Sequence, residues 1–142
     1  RRLREDNPAC KAFPLEPSNS PTLSTGYKVG SHRIQGISDE FIPDLLHLSE
    51  LDEVVSVDDG DALVFARMLS EKLGLGVGVS SGANFAGCVM KQNEYGGDLV
   101  MVTTFADDNK KYLSTDYAQP QAVREGSVAE GIELTGYTAH RM

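Results

Sequence analysis

Between Asp58 and Gly74 the chain carries a pattern that few folds accommodate. Ala62, Phe65, Ala66, Leu69 and Leu73 recur at spacings of three and four, an apolar stripe along one helix face. Asp58, Asp59 and Asp61 crowd the positive N-terminal end, and Gly74 marks the stop. Before this helix, Glu53-Val54-Val55-Ser56-Val57 reads as a strand. After it, Gly76-Val77-Gly78-Val79 reads as a short buried strand, and Ser80-Ser81-Gly82 opens a second helix through Phe85, Cys88 and Val89, broken at Gly96-Gly97. Leu99 to Phe105 is a continuous apolar run, as expected of a parallel strand covered on both faces. A last helix is expected from near Asn109. Strands alternating with helices predict an α/β fold, a three-layer α/β/α arrangement around a mainly parallel sheet.

The ends of the chain are less regular. A charged helical start leads into Cys10 to Leu15, apolar enough for a short buried strand. The prolines in Glu16-Pro17-Ser18-Asn19-Ser20-Pro21 argue against regular structure there. The Gly/Ser/Thr-rich connection running on to Gly36 is long enough to be functional or mobile. Phe41 to Leu48 fits a short helix. Beyond Tyr117 the periodicity fades, so residues 118–142 form either a docked tail or a partly disordered one.

Composition removes several classes of function. A chain of 142 residues, 40% hydrophobic and 24% charged, is an ordinary globular domain with material for a core. No apolar run approaches the roughly 18 to 20 residues that span a membrane. A net charge of −8 argues against a nucleic-acid partner. Cys10 and Cys88 lie far apart, and His32, His47 and His140 make no motif with them, so no metal site is expected. Cys88 reads as a small core residue. A reducing, cytoplasmic location is the default expectation. The start at Arg-Arg-Leu-Arg-Glu-Asp, with no initiator Met and no signal peptide, reads as part of something longer.

Three stretches in order carry a resemblance. They are Glu16-Pro17 with Ser20-Pro21 and Leu23, followed by His32-Arg33-Ile34-Gln35-Gly36-Ile37 and Phe41-Ile42-Pro43; then Gly78-Val79-Ser80-Ser81-Gly82-Ala83; then Tyr112-Leu113-Ser114-Thr115. Together they resemble the C-terminal half of cysteine synthases and cystathionine β-synthases, pyridoxal-phosphate (PLP) enzymes of fold type II, the tryptophan-synthase-β type. The resemblance covers about residues 1–117 and leaves 118–142 as a tail of unknown role. It implies a parent enzyme whose Schiff-base lysine and Gly/Thr-rich phosphate loop lie upstream of this region. None of Lys11, Lys28, Lys72, Lys91, Lys110 and Lys111 matches the lysine position, so the chain by itself is expected to be inactive.

The same resemblance assigns roles. Ser80, between a strand end and a helix, would hydrogen-bond the pyridine nitrogen of PLP; a neutral hydroxyl does not stabilise a pyridinium, which makes the ring a milder electron sink suited to β-elimination. The alternative is that Ser80 or Ser81 only caps the helix, with Ser81 the expected cap. Gly36 and Ile37 would line the substrate pocket, or Gly36 would serve only a turn with positive φ. Many cysteine synthases continue with Gly-Ala-Gly where this chain has Ser38-Asp39-Glu40. Ser38 and Asp39 would then also line the pocket, with Asp39 orienting the substrate ammonium group or acting as a general base, unless either residue caps a following helix. Ala106-Asp107 replaces a frequent Pro-Ser, and Asp107 and Asp108 read mainly as a helix cap.

The implied reaction is β-replacement on a serine derivative such as O-acetylserine, with sulfide as the nucleophile. Two other reactions stay open, cystathionine synthesis and release of hydrogen sulfide from cysteine. A third reading, of another class, is an inactive fragment acting only in association. The implied partners are a small amino acid, sulfide or a thiol, the N-terminal half of the same enzyme, and a second copy in a homodimer.

Overall fold

The computed structural model describes residues 2–38 and 41–140. The N-terminal helix α1 (Arg2–Asp6) is exposed and contributes no buried residue. Strand β1 (Leu15–Pro17) pairs in parallel with β2 (Val55–Val57), with Leu15 opposite Val55 and Pro17 opposite Val57. Between them lie the short helix α2 (Thr22–Thr25) and a 3₁₀ turn at Leu48–Glu50. Helices α3 (Asp59–Leu73) and α4 (Val79–Tyr95) supply most of the core, which includes Phe65, Leu63, Leu69, Ala83 and Ala86 together with Val57 of β2. Helix α4 packs on both strands and on α3. Parallel pairing with helices laid against it is the expected α/β class.

Helix α3 follows its sequence signals closely. The Asp58 carboxylate accepts from the Gly60 N–H at 2.7 Å, and Gly74 closes the helix at φ 70°. Gly82 brings α4 against α3: a Cβ there would lie 2.1 Å from the Ala62 carbonyl oxygen and 2.6 Å from the Ala66 nitrogen. One turn on, Phe85 meets Phe65 edge-on at 5.3 Å between centroids. Both contacts fall on the same stretch of α3, residues 62–66, so Gly82 and Phe85 mark where the two helices cross. The segment leading into α4 stays near the later part of α3, because Asn109 bonds both the Gly76 carbonyl and the Ser70 hydroxyl.

Several expected elements differ. The strand expected at Cys10–Leu15 begins only at Leu15 and runs through Glu16-Pro17, where prolines argued against order. Ladder bonds to β2 are made by the Ser18 N–H to the Val57 carbonyl and by the Val55 N–H to the Pro14 carbonyl, both 2.8 Å, so the missing Pro17 N–H falls on the side away from β2. The helix expected over Phe41–Leu48 is a turn, with the Leu46 N–H on the Pro43 carbonyl, followed by the 3₁₀ turn; Leu45 is 93% exposed, so no apolar face holds a helix there. Gly76–Val79 makes only a bridge, Val77 against Asp108, and Val79 already belongs to α4. Leu99–Phe105 has no strand partner among the described residues. Val100 and Val102 are 90% and 84% exposed, and the run borders a groove with Phe85 and Cys88. The last expected helix is two 3₁₀ turns, Lys110–Tyr112 and Asp116–Ala118.

The tail is docked in part. Ala129 is buried, the Val128 N–H donates to Asp61 at 3.2 Å, and the Arg124 guanidinium pairs with Asp58. Cys88 is half-buried rather than sealed in the core, and burial pushes its thiol pKa up.

Candidate functional site

The first turn of α4 is the centre of the candidate site. Its N-cap is Gly78, which has no side chain to cap with, and residues 107–109 lie along residues 76–78. The Gly78 N–H donates to the Asp107 carbonyl and the Asn109 N–H to the Gly76 carbonyl, both at 3.0 Å. A Cβ on Gly78 would sit 2.1 Å from Asp107 Oδ1 and 2.7 Å from Tyr112 Cε2, so only glycine admits this contact. The Asp107 carboxylate thus lies over the positive end of a 17-residue helix. Its Oδ2 accepts from the Tyr112 hydroxyl at 2.8 Å and pairs with Lys111 Nζ at 2.7 Å, while Oδ1 is buried without a partner. Burial works to raise the Asp107 pKa, but the Lys111 ammonium and the Tyr112 hydroxyl outweigh it and hold it below the ordinary carboxylate range.

The two serines of this turn differ. Ser80, the second residue of α4, is half-buried, and its hydroxyl has no protein partner among the described residues. Ser81 is fully buried and its Oγ is also unpartnered. The expected cap at Ser81 is absent, because the helix starts two residues earlier at Val79 and Ser81 is already inside its first turn. The free and accessible hydroxyl is that of Ser80. Neither aspartate is a helix cap as expected: the Lys110–Tyr112 turn has Asn109 at its N-cap, Asp108 accepts from the Lys110 N–H at 2.9 Å in the turn before it, and Asp107 bonds Tyr112 and Lys111.

The second group of expected site residues lies in the loop after β1. The Arg33 guanidinium pairs with Asp59 at 2.7 Å and its N–H donates to the same carboxylate at 2.9 Å, fastening this loop to the start of α3. The turn beyond it bends through Gly36 at φ 84°, packs the half-buried Ile37 on the core, and reaches Ser38 at φ 54°. Asp39 lies outside the described residues. Among the described residues no helix follows for Ser38 to cap; its hydroxyl donates instead to the Ser20 carbonyl at 2.6 Å. Through Asp59, Arg33 anchors this loop at the start of α3, three residues before Ala62, which packs on Gly82 of α4. Sequence reading missed Ser20 and Thr22 as partners of Ser38, and Lys111 and Tyr112 as partners of Asp107; the sole signal was the presence of Ser20 and Tyr112 in the stretches that carry the resemblance.

Residues 1–107 match the family described as pyridoxal-phosphate dependent enzyme, and the chain belongs to that family. Within it the chain is a relative of the cysteine synthases. It is 45% identical over 102 residues to cysteine synthase B of Campylobacter jejuni, an alignment covering 72% of this chain and 33% of that protein. With a probable cysteine synthase of Bacillus subtilis the identity is 38% over 114 residues, covering 80% and 36%. Among solved structures, a hydrogen sulfide-producing enzyme of Fusobacterium nucleatum superposes with a TM-score of 0.85 at 62% identity, over 91% of this chain and 38% of that one. The chain spans about a third of the length of the curated relatives it matches.

The donor set at α4 fits one end of PLP. Asp107 already occupies the positive end of the helix, so a phosphate there would meet a like charge. A neutral heteroaromatic nitrogen needs a hydrogen-bond donor, and the unpartnered Ser80 hydroxyl is one. Of the lysines, Lys91 is buried between Glu53 and Glu94 at 2.7 Å each, Lys11 bonds the Tyr95 hydroxyl, and Lys110 and Lys111 pair with Asp108 and Asp107.

Proposed function

We propose that this chain forms one wall of a PLP-dependent enzyme that removes a leaving group from Cβ of a serine- or cysteine-type amino acid and adds a nucleophile there, as in cysteine synthesis from O-acetylserine and sulfide. The observation that carries the reading is the accessible, unpartnered Ser80 hydroxyl on the first turn of α4. When bound, PLP supplies the electron sink for cleavage at Cα and Cβ. Ser80 donates to the ring nitrogen and, being neutral, does not favour its protonation. Asp107, held ionised by Lys111 and Tyr112, fixes the approach of residues 107–109 to the helix and keeps a second anion away. Gly36, Ile37 and Ser38 form the wall beside the amino acid, and Asp39 orients the substrate ammonium group or serves as its general base. The lysine and the phosphate cradle come from the N-terminal part of the enzyme, which acts as a cytoplasmic homodimer.

A second reading, release of hydrogen sulfide from cysteine, is favoured by the 62% identity with the Fusobacterium nucleatum enzyme and by Ser38-Asp39 in place of small residues. The test uses the full-length protein loaded with PLP. It is given cysteine alone, and separately O-acetylserine with sulfide, and the product is measured in each. Turnover of either supports β-chemistry, and the faster one names the reaction; turnover of neither refutes it. Ser80→Ala removes one hydrogen bond to the ring, so PLP affinity is expected to fall about two- to tenfold with a shift in the cofactor's visible absorbance. An unchanged spectrum and affinity would remove Ser80 from the site.

A further inference from the structure

The turn that forms the pocket wall contains Ser38, the one non-glycine residue at positive φ among the described residues, at 54°. A side chain in this region is disfavoured, and it persists where surrounding contacts over-determine it. Three contacts do so here. The Ser38 hydroxyl donates to the Ser20 carbonyl at 2.6 Å. The Thr22 N–H, already bonded to the Ser20 carbonyl at 2.9 Å, approaches Ser38 Oγ at 3.4 Å. The Thr22 hydroxyl donates to the Ser38 carbonyl, also at 3.4 Å. The partners are themselves buried and tied to β1. Ser20 and Thr22 are at most 1% exposed, and the buried Glu16 carboxylate of β1 accepts from the Leu23 and Ser24 N–H groups at 2.8 and 3.2 Å and from the Ser24 hydroxyl. A chain of hydrogen bonds therefore runs from the sheet through α2 to the turn.

We propose that Ser38 is a positioning residue, locking the Gly36–Ser38 turn to Ser20 and Thr22 so that the amino-acid pocket keeps one width. The proposal rests on the reading of this turn as the substrate wall. A wall that meets the substrate in its ground state and transition state alike contributes uniform binding, so loosening it raises KM and spares kcat. Alanine at position 38 keeps the strained backbone and loses both contacts of the Ser38 hydroxyl, leaving the Thr22 hydroxyl on the residue-38 carbonyl. Glycine loses the contacts and relieves the strain, which frees the turn further.

The test uses full-length, PLP-loaded enzyme with Ser38→Ala, Ser38→Gly, Thr22→Val and Thr22→Ser. Two readouts are taken: the KM and kcat for the amino-acid substrate, and hydrogen exchange of the amides around residues 34–38. Ser38→Ala and Ser38→Gly are expected to raise KM about three- to tenfold with kcat within about twofold, and to speed exchange in the turn. Thr22→Val should move both readouts in the same direction, more weakly, and Thr22→Ser, which keeps the hydroxyl, should restore them. Faster exchange with unchanged KM would overturn the pocket-width role. Unchanged exchange in both Ser38 variants would overturn the lock itself. An enzyme inactive on all β-substituted amino acids would sink the functional reading while the exchange experiment still judged the lock.

Discussion

Substituting Gly82 by alanine puts the packing of α4 on α3 to a direct test. In an isolated helix the change would stabilise by about 1 kcal/mol. Here the new methyl would lie 2.1 Å from the Ala62 carbonyl oxygen, 2.6 Å from the Ala66 nitrogen and 2.8 Å from the Ala66 methyl. Two of these atoms are backbone, so no side chain can swing away and α3 must retreat by roughly 1 Å, a gap that forfeits much of the dispersion attraction along the seam. Overpacking of this kind costs about 1 to 3 kcal/mol, and more when backbone must move. The net expectation is a loss of about 2 kcal/mol after the propensity gain. Gly87→Ala is the internal control: the same helix and the same propensity gain, but its methyl would meet the tip of Leu15 at 3.0 Å and Val55 at 3.6 Å, both movable. Its net effect should stay within about 1 kcal/mol of zero. Urea unfolding of the full-length protein, followed by far-ultraviolet circular dichroism, reads both. If the two variants unfold at the same midpoint, or Gly82→Ala is the more stable, the close approach of the helices is wrong.

Asp59→Asn is expected to cost about 1 to 3 kcal/mol at pH 7, because Arg33 and Asn19 would lose a buried ionised acceptor. Burial alone would raise the Asp59 pKa, but bonds from Arg33, Asn19 and the Arg33 N–H outweigh it and hold it below the ordinary range. Its contribution is therefore fully present above about pH 4 and lost as pH falls through the lower folded value. Acid titration of stability should show the variant and the parent converging below about pH 4, and a constant gap down to pH 2 would contradict the pairing. Lys91→Ala should destabilise by about 1 to 3 kcal/mol, short of a sealed ion pair, because Glu53 and Glu94 remain half in water and can rehydrate. Lys91→Met should recover part of that loss by packing on Phe13, which the ammonium now faces at 4.9 Å from the ring centre; equal losses in thermal melts would argue against the aromatic contact.

Where local chemistry decides the structure, the sequence was enough. Helix α3 carries its cap at Asp58, its stripe and its stop at Gly74 within one continuous segment, and α4 needed only the glycine-serine opening and the break at Gly96. Strands are relations between segments, and there the reading slipped. Leu99–Phe105 has the composition of a covered strand, yet it finds no neighbour among the described residues. Pro17 seemed a breaker because its missing N–H is visible in sequence, whereas the direction in which that N–H would have pointed is not. The site divides in the same way. Ser80 was expected between a strand end and a helix, and it stands one residue inside α4. The hydroxyl partners of Ser38, at Ser20 and Thr22, belong to another element, and no spacing rule connects them.

Strands β1 and β2 are paired neighbours, and everything from residue 18 to residue 54 is a single excursion between them. Its two ends are held by the ladder whatever happens in between, and lengthening such a loop costs little, about 0.6 kcal/mol for each doubling. The core on α3 and α4 makes few demands on its interior beyond Ile34, Ile37 and the Arg33 anchor. Selection can therefore rewrite the part of this segment that faces a substrate while the scaffold keeps its stability. On that view, related enzymes with different leaving groups should diverge most between Ser38 and Leu51 and least along the two strands that bracket the excursion.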